Sequence, residues 1–193
     1  AMIAATLGKS IDVHLGGTDL IFPHHTNEIA QTEAITGEPL SRFWIHGAFL
    51  LINGQKMSKS LGNVFRLNDL VDKNFSPLDF RYFLLLVHYR QMANLTWGGL
   101  AAARAARLKL IEAVVDLRVQ AKNKKGRGLK IWQEKFMVAI NDDLNLPRAM
   151  ALVWNLIKSK TPPADKLKTL LNWDEVLGLD LGTVSNPAAI PAK

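Results

Sequence analysis

The sequence predicts an α/β region followed by an all-α region, and two observations lead to this fold class. In the first third of the chain, short β-rich runs at residues 11–15 and 49–52 lie on either side of a helix-like stretch at residues 24–36. From about Leu67 onward the β signal fades, and apolar residues recur at intervals of three and four. Strands that alternate with a helix are typical of an α/β unit, whereas the later spacing is typical of packed helices.

The helical signal is strongest in the second half of the chain. One amphipathic stripe consists of Leu100, Ala103, Leu108, Ile111, Val114 and Val115. The basic, glycine-containing run at residues 122–128 interrupts that pattern and predicts a loop between helices. Pro147, just after Asn145, predicts the start of one helix. Residues 164–177 predict another helix that ends at Gly178, so we expect a helical bundle.

The composition excludes several classes of protein. Of the 193 residues, 48% are hydrophobic, and the longest apolar run, at residues 82–87, is far shorter than a membrane span. The chain contains no cysteine, which excludes a disulfide framework. It shows no signal-peptide pattern, so we expect a cytoplasmic protein without membrane association. The 24 basic residues outnumber the 17 acidic ones, and the net charge of +7 suits a polyanionic partner such as nucleic acid.

The most specific motif is a basic loop that follows the turn-forming pair Asn53-Gly54. Its residues are Lys56, Met57, Ser58, Lys59 and Ser60. Two lysines three residues apart, with hydroxyl groups between and beside them, can surround a triphosphate and neutralise the charge that builds on a leaving pyrophosphate. A solvated basic turn is the alternative interpretation of two such lysines. The full five-residue string matches the signature loop of class I aminoacyl-tRNA synthetases and favours the functional interpretation.

A second motif follows the first predicted strand. Gly17 allows the backbone to approach a ligand closely, and the carboxylate of Asp19 can accept hydrogen bonds from ribose hydroxyls. A tight turn with a capping aspartate is the alternative. The motif resembles the Gly-x-Asp ribose-binding element of the same enzymes, and it lies before the lysine loop as it does in them.

A third motif combines a histidine and a carboxylate. His24 and Glu28 are four residues apart, so a helix would place both on one face, where a nitrogen and an oxygen could bind one Zn²⁺. Two ligands are too few for a zinc site, and a simple helix pair is the alternative. His14 and His46 each lie beside glycine in a β-like run, where a buried structural histidine and a ligand contact are both open interpretations.

Residues 11–31, taken together, resemble the central segment of the cysteinyl-tRNA synthetases, a class I aminoacyl-tRNA synthetase family. Shorter matches follow at residues 44–49, 56–63, 81–84, 88–90, 142–145 and 176–179. The resemblance covers about residues 1–180. It implies the second half of a Rossmann-like catalytic domain followed by a helical bundle.

The resemblance also implies how the chain is divided. We expect the second half of the nucleotide-binding catalytic domain at residues 1–66 and a connecting, stem-contact segment at residues 67–98. A helical bundle that binds tRNA is expected at residues 99–181, followed by a tail at 182–193. The family's His-x-Gly-His element and its two zinc cysteines are not in this sequence. We therefore expect the chain to be the later part of a larger protein and to be inactive by itself.

The site residues implied by the resemblance form three groups. His24 and Glu28 would bind Zn²⁺ together with two cysteines upstream, and His14 and His24 would contact the substrate cysteine. ATP, with Mg²⁺, would be bound by Gly17, Asp19, Lys56, Met57, Ser58, Lys59 and Ser60. Lys59 and Lys56 would be the catalytic residues, because they would stabilise charge on the pyrophosphate. Leu15 stands where the family has a glycine, at a position that the resemblance places in the amino-acid pocket.

The implied activity is ligation of cysteine to tRNA. Cysteine would be activated with ATP to cysteinyl-adenylate and then transferred to tRNA(Cys), and the protein is expected to be a monomer. Two alternatives remain open at this point. One is the related cysteine ligase of mycothiol biosynthesis, which transfers cysteine to an amino sugar. The other is a non-catalytic tRNA-binding module derived from a synthetase.

Overall fold

The computed structural model describes residues 2–58, 62–122 and 124–184. The chain forms two compact units. The first unit comprises Ala1–Leu51 and Tyr89–Asn94, and the second comprises Ile52–His88 and Leu95–Lys193. Within the described residues, no helix is long and apolar enough to cross a membrane.

The first unit is built on two parallel strands. It begins with a short helix, α1 (Met2–Leu7), and strand β1 (Ile11–Gly17) then pairs with strand β2 (Ser41–Gly47). Helix α2 (Thr26–Thr36) connects the two strands, as a parallel pair requires, so the α/β prediction is confirmed. Helix α2 starts two residues later than the sequence predicts, because an irregular turn at Ile21–His25 precedes it.

A tight hairpin follows the first unit along the chain. Strand β3 (Leu50–Ile52) and strand β4 (Gln55–Lys56) are joined by Asn53 and Gly54, whose φ angles are 50° and 78°. Both angles are left-handed, which is the conformation that Asn-Gly favours in two-residue hairpin loops. Strand β5 (Ala93–Leu95) completes a three-stranded sheet of order β4-β3-β5.

The second unit contains most of the helices, which confirms the predicted all-α region. They are α3 (Leu67–Asp72), α4 (Pro77–Leu85), α5 (Trp97–Ala121), α6 (Lys130–Asn141), α7 (Leu146–Lys158) and α8 (Pro163–Leu177). Asn145 caps α7 as its position before Pro147 predicts, since its side-chain oxygen accepts a hydrogen bond of 3.2 Å from the N–H of Arg148. Helix α8 ends at Gly178, which is left-handed with a φ of 60°.

Large apolar side chains fill the core of the second unit. Leu100, Phe136 and Trp173 are completely buried, and the Phe136 and Trp173 rings stack with centroids 4.7 Å apart. The predicted stripe on α5 is buried at Leu100, Ala103, Ile111 and Val114, whereas Leu108 and Val115 are half-buried. Tight packing of large apolar side chains is the main source of helical stability in such a bundle.

Two polar contacts fix the helices of the second unit. The buried Arg107 of α5 donates from its Nε to Oδ1 of Asp79 on α4 at 2.7 Å. Oδ2 of the same aspartate accepts a hydrogen bond of 2.8 Å from the N–H of Ser76. Arg81, also on α4, donates from its Nε to the carbonyl of Leu177 at 2.5 Å, at the carboxyl end of α8. These contacts satisfy a buried carboxylate and a helix terminus that would otherwise lack partners.

Candidate functional site

One face of the parallel pair carries a cluster of aromatic and histidine rings. Residues of a strand alternate between its two faces, so Trp44 and His46 of β2 project to the same side. His14 of β1 lies opposite Trp44 in register, and the two rings stack with centroids 4.6 Å apart. The Trp44 and His46 rings are 6.2 Å apart and nearly parallel, with an interplanar angle of 7°.

His25 is the buried member of this cluster. Its side chain is 3% exposed, and its Nδ1 lies 2.8 Å from Nε2 of His46, a hydrogen bond in which one ring supplies the proton. A Cβ atom on Gly16 would lie 2.5 Å from Cε1 of His25, so a glycine is required where this ring approaches β1. Burial lowers the pKa of His25 below its ordinary value, and the neighbouring His14 and His46 lower it further.

Glu28, in the first turn of α2, brings two predicted site residues together. Its Oε2 lies 3.3 Å from Nε2 of His14, and its Oε1 lies 3.7 Å from Nε2 of His24. Oε2 is buried and accepts no hydrogen bond from the described residues. A buried carboxylate oxygen without a donor is costly, and a bound cation would satisfy it.

The donor atoms around Glu28 are of types that bind zinc. Imidazole nitrogens and carboxylate oxygens are common zinc ligands, and this chain supplies both around Glu28. The ligand atoms of His14, His25 and Glu28 all lie within 4.8 Å of one another. The side chain of His24 is 59% exposed and lies on the solvent side of the carboxylate. The sequence prediction that His24 and Glu28 bind zinc, and that His14 and His24 contact cysteine, remains a prediction.

The glycine–aspartate motif lies where β1 ends. Gly17 is the last residue of β1, and Asp19 follows it in an exposed turn. A side chain at position 17 would collide with the carboxylate of Asp19. The carboxyl end of a parallel strand is where α/β proteins bind nucleotides. The role of Gly17 and Asp19 in binding ATP remains a prediction.

The lysine loop is partly described. Lys56 ends β4 with an exposed side chain, and Met57 and Ser58 are half-buried. The N–H of Ser58 donates to Oδ1 of Asn63 at 2.8 Å, and Nδ2 of Asn63 donates to the carbonyl of Lys56 at 3.1 Å. Two of the predicted site residues in this loop, Lys59 and Ser60, lie outside the described residues.

Leu15 lies away from the ring cluster. Because it neighbours His14 in β1, its side chain projects from the opposite face of the strand, where it is 66% exposed. Its place in the sequence suggested that it lines the amino-acid pocket. The structure instead places it on the face that carries none of the histidine contacts described above.

Sequence reasoning did not single out His25 or Asn63 as candidate site residues. Trp44 and His46 could have been paired from their alternation in a single strand. His24 and His25 lie next to each other in the irregular turn before α2, and of these two only His25 is buried. No pattern in the sequence indicates which of the two is buried, and none indicates that Asn63 reaches back to Lys56.

Solved structures of tRNA synthetases have the same fold as this chain. The LeuRS of Agrobacterium radiobacter, in a ternary complex with tRNA and LeuAMS, matches 94% of this chain and 27% of its own, with a TM-score of 0.68 and 16% identity. The methionyl-tRNA synthetase of Mycobacterium tuberculosis, bound by methionyl-adenylate, matches 91% and 41%, with a TM-score of 0.52 and 20% identity. The chain therefore shares its fold with these two structures.

The family model described as "tRNA synthetases class I (C) catalytic domain" matches residues 1–105, and the chain belongs to this family. Curated relatives carry the name cysteine–tRNA ligase. That of Trichodesmium erythraeum is 38% identical, over 94% of this chain and 43% of its own length. That of Legionella pneumophila (strain Corby) is 42% identical, over 92% and 39%. That of Solibacter usitatus is 43% identical, over 82% and 35%. The chain thus spans about two fifths of the length of these relatives.

Proposed function

We propose that this chain is the part of a cysteine–tRNA ligase that carries the lysine loop and the helical bundle. The proposal rests on the surroundings of the Glu28 carboxylate. This carboxylate lies 3.3 Å from His14 and 3.7 Å from His24, and one of its oxygens is buried without a donor among the described residues. This arrangement suits a cation that holds the thiolate of cysteine. The names of the curated relatives support the same activity.

The reaction has two steps. A carboxylate oxygen of cysteine attacks the α-phosphorus of ATP, the bond from that phosphorus to the bridging oxygen breaks, and pyrophosphate leaves. A ribose hydroxyl at the 3′ end of tRNA(Cys) then attacks the carbonyl of cysteinyl-adenylate, and AMP leaves. Positioning and charge stabilisation are sufficient for the first step, since the attacking carboxylate is already an anion.

The residues of the lysine loop act on the phosphates of ATP and its Mg²⁺. Lys56 and Lys59 supply positive charge where the pyrophosphate becomes more negative, which lowers the energy of the transition state. Met57, Ser58 and Ser60 complete the loop around the phosphates. Gly17 and Asp19 bind the nucleotide from the first unit, through close backbone approach and hydrogen bonds to ribose.

The cysteine pocket consists of His14, His24 and Glu28. His24 and Glu28 hold Zn²⁺, whose remaining ligands come from outside this chain. When bound, zinc supplies a Lewis acid that prefers a thiolate to a hydroxyl, which favours cysteine over serine. His14 orients the carboxylate of Glu28 from β1 and, with His24, lines the space for the substrate side chain.

The second unit contributes to tRNA binding. The basic loop near residues 122–127 and the bundle at 99–181 contact tRNA phosphates through charge neutralisation. The connecting segment at 67–98 contacts the acceptor stem. The predicted tail at residues 182–193 lies outside the described residues from position 185 onward. The ligase acts in the cytoplasm as a monomer.

The test is aminoacylation by the complete protein that contains this chain. With ATP and tRNA, we expect charging with cysteine but not with serine, and about one zinc ion per chain. An amino-sugar acceptor is included in a parallel reaction. Transfer of cysteine to that acceptor, with none to tRNA, would replace the proposal with the mycothiol-type ligase. Absence of both reactions in a zinc-free protein would leave only a tRNA-binding module.

A further inference from the structure

Asn63 joins the two sides of the lysine loop through one side chain. Its Oδ1 accepts from the N–H of Ser58 at 2.8 Å, and its Nδ2 donates to the carbonyl of Lys56 at 3.1 Å. Both groups of the carboxamide therefore bond to the segment that enters the loop, at positions five and seven residues earlier. The side chain is half-buried, so these hydrogen bonds are partly shielded from water.

The backbone around Asn63 supports this bridge. Gly62 is left-handed with a φ of 61°, a conformation that suits glycine and that turns the chain immediately before Asn63. Two residues later, Phe65 packs edge-on against Trp97 of α5, with ring centroids 5.4 Å apart. Trp97 also stacks on Phe75 at 6.0 Å. The segment that leaves the loop is thus anchored to the second unit, and Asn63 ties the entering segment to it.

We propose that Asn63 is a positioning residue that sets the direction of Lys56 and the entrance of the lysine loop for ATP. The inference rests on the proposed function, because it gives Asn63 a role in the same activation step. Only an amide of this length offers one donor and one acceptor in the required geometry. Aspartate retains the acceptor for Ser58 but loses the donor to Lys56, and alanine loses both.

Loss of this bridge is expected to affect the use of ATP more than the binding of cysteine. Lys56 belongs to the nucleotide side of the reaction, whereas the cysteine pocket is formed by residues of the first unit. Small displacements of a charged group from its productive position cost large factors in rate. Removal of the bridge is therefore expected to lower kcat/KM for ATP and to leave KM for cysteine unchanged.

The experiment measures cysteine-dependent exchange between ATP and pyrophosphate in the complete protein. Asn63→Ala is expected to lower kcat/KM for ATP about tenfold or more. Asn63→Asp should fall between Asn63→Ala and the parent, because it keeps one of the two hydrogen bonds. Asn68→Ala is the matched control, since Asn68 is exposed, lies five residues further along and makes no side-chain hydrogen bond to the described residues. The exchange reaction contains no tRNA, so the acceptor-stem contact proposed for residues 67–98 does not enter the measurement. This variant should match the parent.

Three outcomes would overturn the inference. One is equal kcat/KM for ATP in Asn63→Ala and Asn68→Ala. Another is an equal loss for ATP and cysteine, which would indicate general damage to the fold. If the parent shows no exchange, the proposed function fails, and the bridge is then tested by tryptic cleavage between residues 56 and 63. Faster cleavage in Asn63→Ala than in Asn68→Ala would support the bridge without the activity, and equal cleavage would refute it.

Discussion

The two units of the molecule differ in the hydrogen bonding of their buried carboxylate oxygens. In the first unit, Oε2 of Glu28 is buried without a hydrogen-bond donor among the described residues. In the second unit, both oxygens of Asp79 have partners, from Arg107 at 2.7 Å and from Ser76 at 2.8 Å. A fully satisfied carboxylate holds a fold together, whereas an unsatisfied one is available to a ligand. Glu28 is therefore available to a ligand, whereas Asp79 is committed to the packing of its own unit.

The apolar side chains follow the same division. Leu100, Phe136 and Trp173 of the second unit are 0% exposed, whereas Leu15 and Phe43 on the strands of the first unit are each 66% exposed. The histidine and tryptophan rings lie on the opposite face of these strands. Loss of a fully buried group in the second unit is therefore expected to cost more folding stability than loss of an exposed group in the first.

The largest effect is expected from Asp79→Ala. This variant leaves the charge of Arg107 buried without a partner and removes the cap on the N–H of Ser76. The free energy of unfolding should fall by about 3–5 kcal/mol, measured by urea unfolding followed by far-UV circular dichroism. A loss below about 1 kcal/mol would show that the second unit does not depend on this pair.

A smaller loss is expected from Gly16→Ala in the first unit. The new Cβ would lie 2.5 Å from Cε1 of His25, so the ring must move away from His46. Overpacking of this kind costs about 1–3 kcal/mol, which chemical unfolding monitored by tryptophan fluorescence would detect. Gly98→Ala on α5 is the control, because no atom lies within 4 Å of its new Cβ and alanine is the better helix former. It should be neutral or stabilising.

Glu28→Gln should separate binding from folding. Glutamine keeps the shape of the side chain but removes the charge that a cation requires. We expect zinc affinity of the complete protein to fall at least tenfold, or about 1.4 kcal/mol, with little change in the unfolding midpoint. The exposed Glu38→Gln is the control for loss of charge, and it should bind zinc normally. Equal zinc binding in both variants would remove Glu28 from the proposed site.

The smallest effect is expected from Asp12→Ala. Asp12 and Arg42 lie 3.7 Å apart, but their side chains are 87% and 74% exposed, so water and salt screen the pair. The unfolding free energy should change by no more than about 0.5 kcal/mol in the assay used for Asp79→Ala. A loss as large as that of Asp79→Ala would show that burial does not decide which carboxylates stabilise this protein.

Much of the fold could be predicted from the sequence because local chemistry specifies it. Asn53-Gly54 dictates a hairpin loop, Asn145 before Pro147 dictates a helix start, and Gly178 dictates a helix end. Each of these signals acts within a few residues, which is the range that a single sequence reveals.

The arrangement of the site was less accessible to sequence reasoning. Which of His24 and His25 is buried depends on the rotation of the chain through the irregular turn at Ile21–His25, and that rotation is set by contacts with β1 and β2. The bridge from Asn63 depends on how the lysine loop folds back. Both are results of tertiary packing, which overrides local preference.

The hydrogen bond from Arg81 to the carbonyl of Leu177 also bears on the order in which contacts form during synthesis. Its partners are 96 residues apart, and a ribosome needs roughly 5 to 20 s to add that many residues. Until α8 has left the exit tunnel, α4 lacks the partner that Arg81 requires. During synthesis, the contact between α4 and the end of α8 therefore forms only after this interval.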